Sequence, residues 1–349
     1  MKKIRVSVIG AGSWAVAAHL PALASRDDVE LVGVCRSNTD AAARIRDKFG
    51  FACASTDYRD VLSPGVDAVI VASPSSLHHE HASAALRAGA HVLCEKPMTI
   101  AASEAWDLVA IARENERELL IAFGWNYMRM IRDARALINR VGIGRLEHVT
   151  VHMSSSTREL LSGTGAYPDS AEDSAPQTAT WTDPLISGGG YGQAQLSHAL
   201  GLTLSLFPDR VVAASAQMFG AATTAVELHD AAVLTFESGA IGVLSGASAH
   251  AGAWKDKHDL QVRAVGSEGQ AMVDVLREEA WIYRPDSGEH RLSLSEGDGA
   301  YQASGPAHAL IESALGRGDN PAPGSLGALT AEALELVYRS AAHGGSVAR

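Results

Sequence analysis

The chain has little of what would place it in several broad classes. Its 349 residues include three cysteines, Cys35, Cys53 and Cys94. They fit neither a disulfide framework nor the paired spacing of a zinc site, so they read as reduced core thiols, and no metal is implied. Basic residues are in deficit: Lys+Arg number 29 against 40 for Asp+Glu, a net charge of −11. No run of like charge is long enough to form a patch for nucleic acid or anionic lipid, so neither is expected as a partner. Nowhere do about 18 consecutive apolar residues occur, as a membrane-spanning helix requires. The opening MKKIRVSVIGAG has two lysines, but Arg5 interrupts the apolar stretch that follows, and the stretch runs into glycines instead of a cleavage site. It reads as the first strand of a cytoplasmic protein.

What is present is the profile of a packed α/β chain: 46% hydrophobic residues, 20% charged residues and 33 glycines. The length exceeds what one hydrophobic core usually serves, so two domains are expected, at 1–122 and 123–349. IRVSVI is a β-branched run, Gly10-Ala11-Gly12-Ser13-Trp14-Ala15 follows, and an alanine-rich helical stretch comes next. In this G-x-G-x-x-A pattern Gly10 makes the tight turn, Gly12 lets backbone approach a pyrophosphate, and small Ala15 lets helix pack against strand. Anion binding falls to the N–H groups that open the helix. Trp14 either packs near the cofactor or fills a gap.

VELVGVCRS supplies the second strand. At its end, about 20 residues past the glycines, an acid would accept hydrogen bonds from the adenosine ribose of NAD. Arg36 stands there instead, followed by Ser37. Guanidinium and hydroxyl can pair with a 2′-phosphate that a carboxylate would repel, which favours NADP over NAD. The alternative is a solvated surface arginine whose loop still admits NAD. The pattern then repeats as a helix through DAAARIRDKFG, the strand DAVIVASP, the helix SLHHEHASAALRAGA and the strand HVLCEKP. Such alternation predicts a doubly wound parallel sheet with ligands beyond the carboxyl ends of its strands. Glu95 and Lys96, ahead of Pro97, sit at such an end.

GAGSWA, the stretch from Ser73-Pro74 through Glu95-Lys96-Pro97, and WTDPLISGGGYGQAQLSH together resemble the glucose-fructose oxidoreductase, inositol dehydrogenase and MocA (Gfo/Idh/MocA) oxidoreductase family. The resemblance implies an α/β fold: an N-terminal Rossmann domain and a C-terminal α+β domain on a large open, mostly antiparallel sheet. The open face of that sheet usually pairs subunits, so a homodimer or homotetramer is expected. It implies hydride transfer between a nicotinamide and a sugar, inositol or related polyol, with Lys96 and His198 at the positions of the family's lysine and histidine. The cofactor side would comprise Gly10, Gly12, Ser13, Trp14, Ala15, Arg36, Ser37, Ser73, Pro74, His78, Glu95 and Lys96. The substrate would meet Lys96, Tyr127, Gln195 and His198. Glu95 either steadies Lys96 or turns away to hold the strand end.

The second domain offers strand candidates LEHVTVHM, RVVAASAQM, AAVLTFES, GAIGVLSGAS and DLQVRAVG, and a terminal helix GALTAEALELVYRSAAHG that stops at Gly344-Gly345. Residues 154–187 form either a substrate-covering loop or an arm to a neighbouring subunit. Gly188-Gly189-Gly190 let backbone come close to another surface, here read as nicotinamide or sugar. On the helix that follows, Ala194 and Gln195 fall four and three residues before His198, beside its ring at helical spacing. The chain departs from the family pattern there, with Ala194 and Gly201 where aspartates are usual, so no carboxylate of this helix orients His198. His19, His78, His79 and His91 read as satisfied structural histidines, and His250, His258 and Asp259 lack a metal-ligand spacing. Two other readings stay open: a nucleotide-binding regulator on the same fold, and a biosynthetic keto-sugar reductase.

Overall fold

The structure, a computed structural model, describes residues 3–62, 65–165, 177–253 and 258–349. It divides into two compact units. Of the described residues, the first comprises 3–62, 65–124, 177–180 and 303–328, and the second 125–165, 181–253, 258–302 and 329–349. Part of the polar segment at 154–187, residues 166–176, lies outside the described residues.

In the first unit six parallel strands form one sheet: β1 (Ile4–Ile9), β2 (Val29–Cys35), β3 (Cys53–Ser55), β4 (Ala68–Val71), β5 (His91–Cys94) and β6 (Leu119–Ile121). Their order, β3-β2-β1-β4-β5-β6, reverses direction between β1 and β4, the switch point of a Rossmann sheet. Strands covered on both faces need continuous apolar runs. Val6, Val8, Ile70, Val71, Val92 and Leu93 are fully buried. The helices are α1 (Leu20–Ala24), α2 (Thr39–Phe49), α3 (His78–Arg87) and α4 (Ala102–Glu114). Asn38 caps α2 by accepting the Ala41 N–H at 2.8 Å, and Gly50 ends it with a left-handed φ of 78°. Unlike a single cut at residue 122, the observed division returns residues 303–328 to this unit. The reasons are local: Ile121 N–H donates to Ala322 O at 2.8 Å, and Arg26 binds both Asp28 and Glu312.

The second unit is built on a nine-stranded sheet. Its strands are β7 (Leu146–Ser155), β8 (Val211–Gly220), β9 (Glu227–Phe236), β10 (Ile241–Ser248), β11 (Asp259–Gly266), β12 (Gly269–Asp274), β13 (Glu279–Arg284), β14 (Gly288–Arg291) and β15 (Val347–Ala348). The order is β14-β13-β12-β11-β7-β10-β9-β8-β15, antiparallel except where β7 runs parallel to β10. The sheet is therefore mostly antiparallel, and β7 interrupts a simple meander. Helix α5 (Arg129–Val141) turns Met130, Ile131, Ala134, Leu137 and Ile138 inward, a stripe at the helical period, and ends at Gly142. After the one-turn helices α6 (Arg158–Leu161), α7 (Ala179–Thr182) and α8 (Pro184–Ser187) comes α9 (Ser197–Leu206), buried on nearly every side. The remaining helices are α10 (Gly305–Ala314) in the first unit and α11 (Gly324–His343), whose residues divide between the units. Over residues 231–236 of β9 the alternation is strict: Ala232, Leu234 and Phe236 are buried, while Ala231, Val233 and Thr235 face outward. Phe219, Ile241, Val243 and Val265 are also exposed, which leaves an apolar outer surface on this sheet.

Candidate active site

In the first unit the glycine turn is packed tightly on one side and open on the other. Gly10 has φ 83°, and a Cβ there would lie 2.2 Å from the Ser73 amide nitrogen at the end of β4. The protein itself therefore demands glycine at this position. A Cβ on Gly12 would meet nothing closer than Gly10 O at 3.9 Å, so the protein leaves space open beside this backbone. Gly10 and Ala11 donate their N–H groups to Cys35 O, and the chain then enters a π turn, Ala15–His19, before α1. Ala15 is buried against the strand as expected, Ser13 is half-buried, and Trp14 lies at the surface, 36% exposed, so it fills no core gap. An open backbone face on a glycine turn that leads from the first strand suits a dinucleotide pyrophosphate.

At the end of β2, Arg36 is half-buried and Ser37 exposed. Burial first, and then the charge of Arg44 on α2, lower the Arg36 pKa. Neither guanidinium has a hydrogen bond or ion pair with a described residue. Two cations brought together without a carboxylate form an anion-seeking pair. Arg44 lies within α2, where the strand-end motif at Arg36-Ser37 does not flag it.

The ends of β4 and β5 are tied together. His78, at the start of α3, places Nδ1 2.8 Å from Pro97 O and Nε2 2.8 Å from Ser73 O, while Ser73 Oγ meets His81 Nδ1 at 2.9 Å. Burial lowers the His78 pKa against the pull of those two carbonyls and of Glu95. His78 is thus a brace between strand ends, and Pro74 opens the short helical turn that leads to it. Glu95 is buried, with Oε1 2.7 Å from His19 Nε2 and Oε2 accepting the Lys96 backbone N–H at 3.1 Å. Its carboxylate therefore holds the strand end, and its partner is a histidine the sequence presented as an ordinary core residue. Burial works to raise the Glu95 pKa, but the His19 hydrogen bond and the positive charge of Lys96 outweigh it and bring it below the usual range. Lys96 is half-buried, and desolvation lowers its pKa while Glu95 opposes the shift. The Lys96-Pro97 peptide is cis.

In the second unit the triple glycine meets protein rather than open space. Gly190 N–H donates to both Glu227 carboxylate oxygens at 2.9 Å, and Gly192 N–H to Oε1 at 2.9 Å. Tyr338 donates its hydroxyl to the same Oε1 at 2.6 Å and accepts the Gln193 N–H at 3.1 Å. A Cβ on Gly190 would lie 2.1 Å from Glu227 O, and one on Gly189 would lie 2.2 Å from the Tyr338 hydroxyl. The surface these glycines approach is therefore a buried carboxylate and a phenol of the chain itself, not nicotinamide or sugar. Asp230, on the same strand as Glu227, is buried with neither carboxylate oxygen hydrogen-bonded to a described residue. Burial, then the charge of Glu227, raise its pKa to about 8.

A second π turn, Gly192–Leu196, leads into α9 and His198. Ser197 N–H reaches Gly192 O, five residues back, so the three-and-four spacing that placed Gln195 and Ala194 beside the ring does not apply unchanged. His198 is buried and stands edge-on to Trp125 with ring centroids 4.7 Å apart. Trp125 in turn meets Tyr301 at 4.6 Å and His258 at 5.1 Å. No sequence motif flags Trp125, His258 or Tyr301, since they are far apart in the chain. Tyr127 is half-buried two residues after Trp125, and its neighbour Asn126 donates to Gly201 O on α9 at 3.4 Å.

The comparisons agree with this architecture. Residues 4–123 match the GFO_IDH_MocA model, described as an oxidoreductase family with an NAD-binding Rossmann fold. Residues 131–272 match the GFO/IDH/MocA C-terminal domain. D-glucoside 3-dehydrogenase of Escherichia coli K12 is 33% identical over 166 residues, 47% of this chain and 46% of that protein. A dTDP-3,4-didehydro-2,6-dideoxy-alpha-D-glucose 3-reductase of Saccharopolyspora spinosa is 28% identical over 78% of this chain and 75% of its own. The match spans about half the length of the first of these relatives. Among solved structures, an inositol dehydrogenase homolog from Azotobacter vinelandii with NAD+ superposes with a TM-score of 0.80 at 22% identity, covering 100% of this chain and 98% of that one. Levoglucosan dehydrogenase with NADH gives 0.78 at 20%, covering 99% of each chain. The chain belongs to the GFO/IDH/MocA oxidoreductase family.

Asp230 yields a test of the second unit. An unfolded aspartate titrates near 4, whereas folded Asp230 does so at about 8. Between those values the folded state keeps a proton that the unfolded state has lost, so Asp230 makes stability fall as pH rises. Asp230→Asn is expected to raise Tm at about pH 8 and to change it little near pH 4. Calorimetry giving the same difference at both pH values contradicts the assignment.

Proposed function

We propose that this member of the family is an NAD(P)-dependent dehydrogenase or reductase acting on a secondary alcohol or ketone of a sugar, inositol or related polyol. The observation that carries the reading is Lys96, two residues beyond the carboxyl end of β5, with its pKa lowered by burial. An amine in that state exchanges a proton near neutral pH more readily than a solvated lysine. The relatives named for sugar dehydrogenation and keto-sugar reduction support the substrate class. The nicotinamide, when bound, supplies the hydride acceptor or donor. Gly10, Gly12, Ser13, Trp14 and Ala15 would hold its pyrophosphate side, with Ser73, Pro74, His78 and Glu95 shaping the strand ends and Lys96 facing the reacting carbon. Lys96 and His198 are each proposed for the proton chemistry of the hydroxyl, as base in oxidation and as acid in reduction of a ketone. Tyr127 and Gln195 complete the substrate contacts.

NADP is proposed over NAD, because Arg36 is joined by Arg44 and neither has a carboxylate partner among the described residues. The apolar outer surface around Val233, Ile241 and Val243 supports a homodimer or homotetramer formed through the open sheet. Free cysteines, Cys53 among them at the surface, fit a cytoplasmic location. Among the described residues no helix is long and apolar enough to cross a membrane. A regulator on the same fold has one observation in its favour, Ala194 in place of the usual aspartate, and retention of Lys96 and His198 weighs against it.

Two variants test the reading. Lys96→Ala is expected to lower kcat by about 10²–10⁴-fold across a panel of inositols, aldoses and glycosides, with nucleotide affinity little changed. Turnover equal to the parent's rejects Lys96. Arg36→Asp is expected to weaken NADP binding by about 1.5–3 kcal/mol, roughly 10- to 150-fold, and to shift preference toward NAD. An unchanged ratio of the two dissociation constants, read by nucleotide titration, rejects the 2′-phosphate assignment.

A further inference from the structure

His19 is fully buried, and its Nε2 lies 2.7 Å from Glu95 Oε1. It closes the π turn that begins at Ala15, so the segment leaving the glycine turn reaches across to the strand end that carries Lys96. Its other nitrogen, Nδ1, is buried with no hydrogen-bond partner among the described residues. A doubly protonated ring would leave an N–H stranded there, and a ring protonated only on Nδ1 would strand the same N–H and set a lone pair against the carboxylate. The one form that leaves no buried donor unmet is the neutral ring with its proton on Nε2, donating to Glu95. The proton then belongs to His19 and the negative charge to Glu95.

That charge is placed next to Lys96. Glu95 Oε2 accepts the Lys96 backbone N–H, so the carboxylate is fixed at both oxygens. The charged and titratable groups around it are His19 from the π turn, His78 from α3, and Cys94 and Lys96 on its own segment. His78 is engaged by two carbonyl oxygens, and burial raises the Cys94 thiol pKa, so at neutral pH the thiol is uncharged. Glu95 is left as the anion that opposes the desolvation of the Lys96 ammonium.

We propose that His19 is a positioning residue of the active site: by donating to Glu95 it keeps that carboxylate ionised, and through Glu95 it fixes the pH at which Lys96 gives up its proton. The proposal rests on the reading of Lys96 as a proton-handling residue, but its coupling is measurable without turnover. The chain has only six lysines, so the Lys96 signal can be followed in the ¹⁵N-lysine NMR spectrum of the full chain and assigned by its loss in Lys96→Arg. In His19→Leu, Glu95 loses its donor and takes up a proton, and the Lys96 titration is expected to move down by roughly one pH unit. The acid limb of the kcat/KM profile is expected to move with it. His19→Gln, which restores a donor that does not titrate, is expected to return both toward the parent. A Lys96 titration that stays in place or rises in His19→Leu overturns the proposal, as does a Gln variant that behaves like Leu. If His19→Leu fails to fold, Glu95→Gln carries the same test, because it keeps the contact with His19 and removes the charge. There too a downward shift is expected, and an unmoved Lys96 overturns the coupling. Should Lys96→Ala retain turnover, the catalytic reading falls while the titration result stands by itself.

Discussion

The first unit is organised around the cost of burying one carboxylate. Glu95 ends a strand whose neighbours are fully apolar, and an ionised group in such a place must find donors or lose its charge. Its donors are the imidazole of His19 and the backbone of Lys96. Satisfying them requires that the segment after the glycine turn bend inward, which the π turn at Ala15–His19 accomplishes. It also requires that the turn at Lys96-Pro97 be held, which His78 does by bridging Pro97 O and Ser73 O. Ser73 in turn leaves no room for a side chain on Gly10. The nucleotide turn, the lysine and the strand-end brace are thus one connected arrangement.

The second unit solves a similar problem with different groups. Glu227 is a buried carboxylate fed by two glycine amides and a tyrosine hydroxyl, and the chain leaves it through another π turn, this one leading to His198. Wide turns of this kind are rare and recur at functional sites, where they re-aim a side chain that regular helix would place elsewhere. Here one brings His19 to Glu95 and the other precedes the assigned histidine by two residues.

Much of this was legible in the sequence and some of it could not be. Hydrophobic runs punctuated by glycine gave the early strands of the first unit, because parallel strands buried on both faces advertise themselves. The glycine turn and Glu95-Lys96-Pro97 are local signals and were readable as such. The His19–Glu95 contact joins residues 76 apart, and no spacing rule connects them. Gly188-Gly189-Gly190 announced a close approach but not to what, since Glu227 and Tyr338 lie far along the chain. Ala194 and Gln195 were placed by regular helical spacing, which a π turn breaks. Strands β12, β13 and β14 went unread although AMVD and AWIYR carry strand-forming residues, and the insertion of β7 between β11 and β10 is a matter of topology that propensity does not encode.

The proposed reaction moves a hydride between a polyol carbon and a nicotinamide. It is tested most directly by isotope transfer. The purified protein would be incubated with NADP or NAD and sugars, inositols and glycosides bearing deuterium at their secondary alcohol carbons, and the nicotinamide ring analysed by mass spectrometry. Deuterium is expected on the reduced nicotinamide with at least one of these polyols, and more of it with NADP. Nucleotide that binds but acquires no deuterium from any labelled polyol, and gives none to the corresponding ketones in reverse, would contradict it.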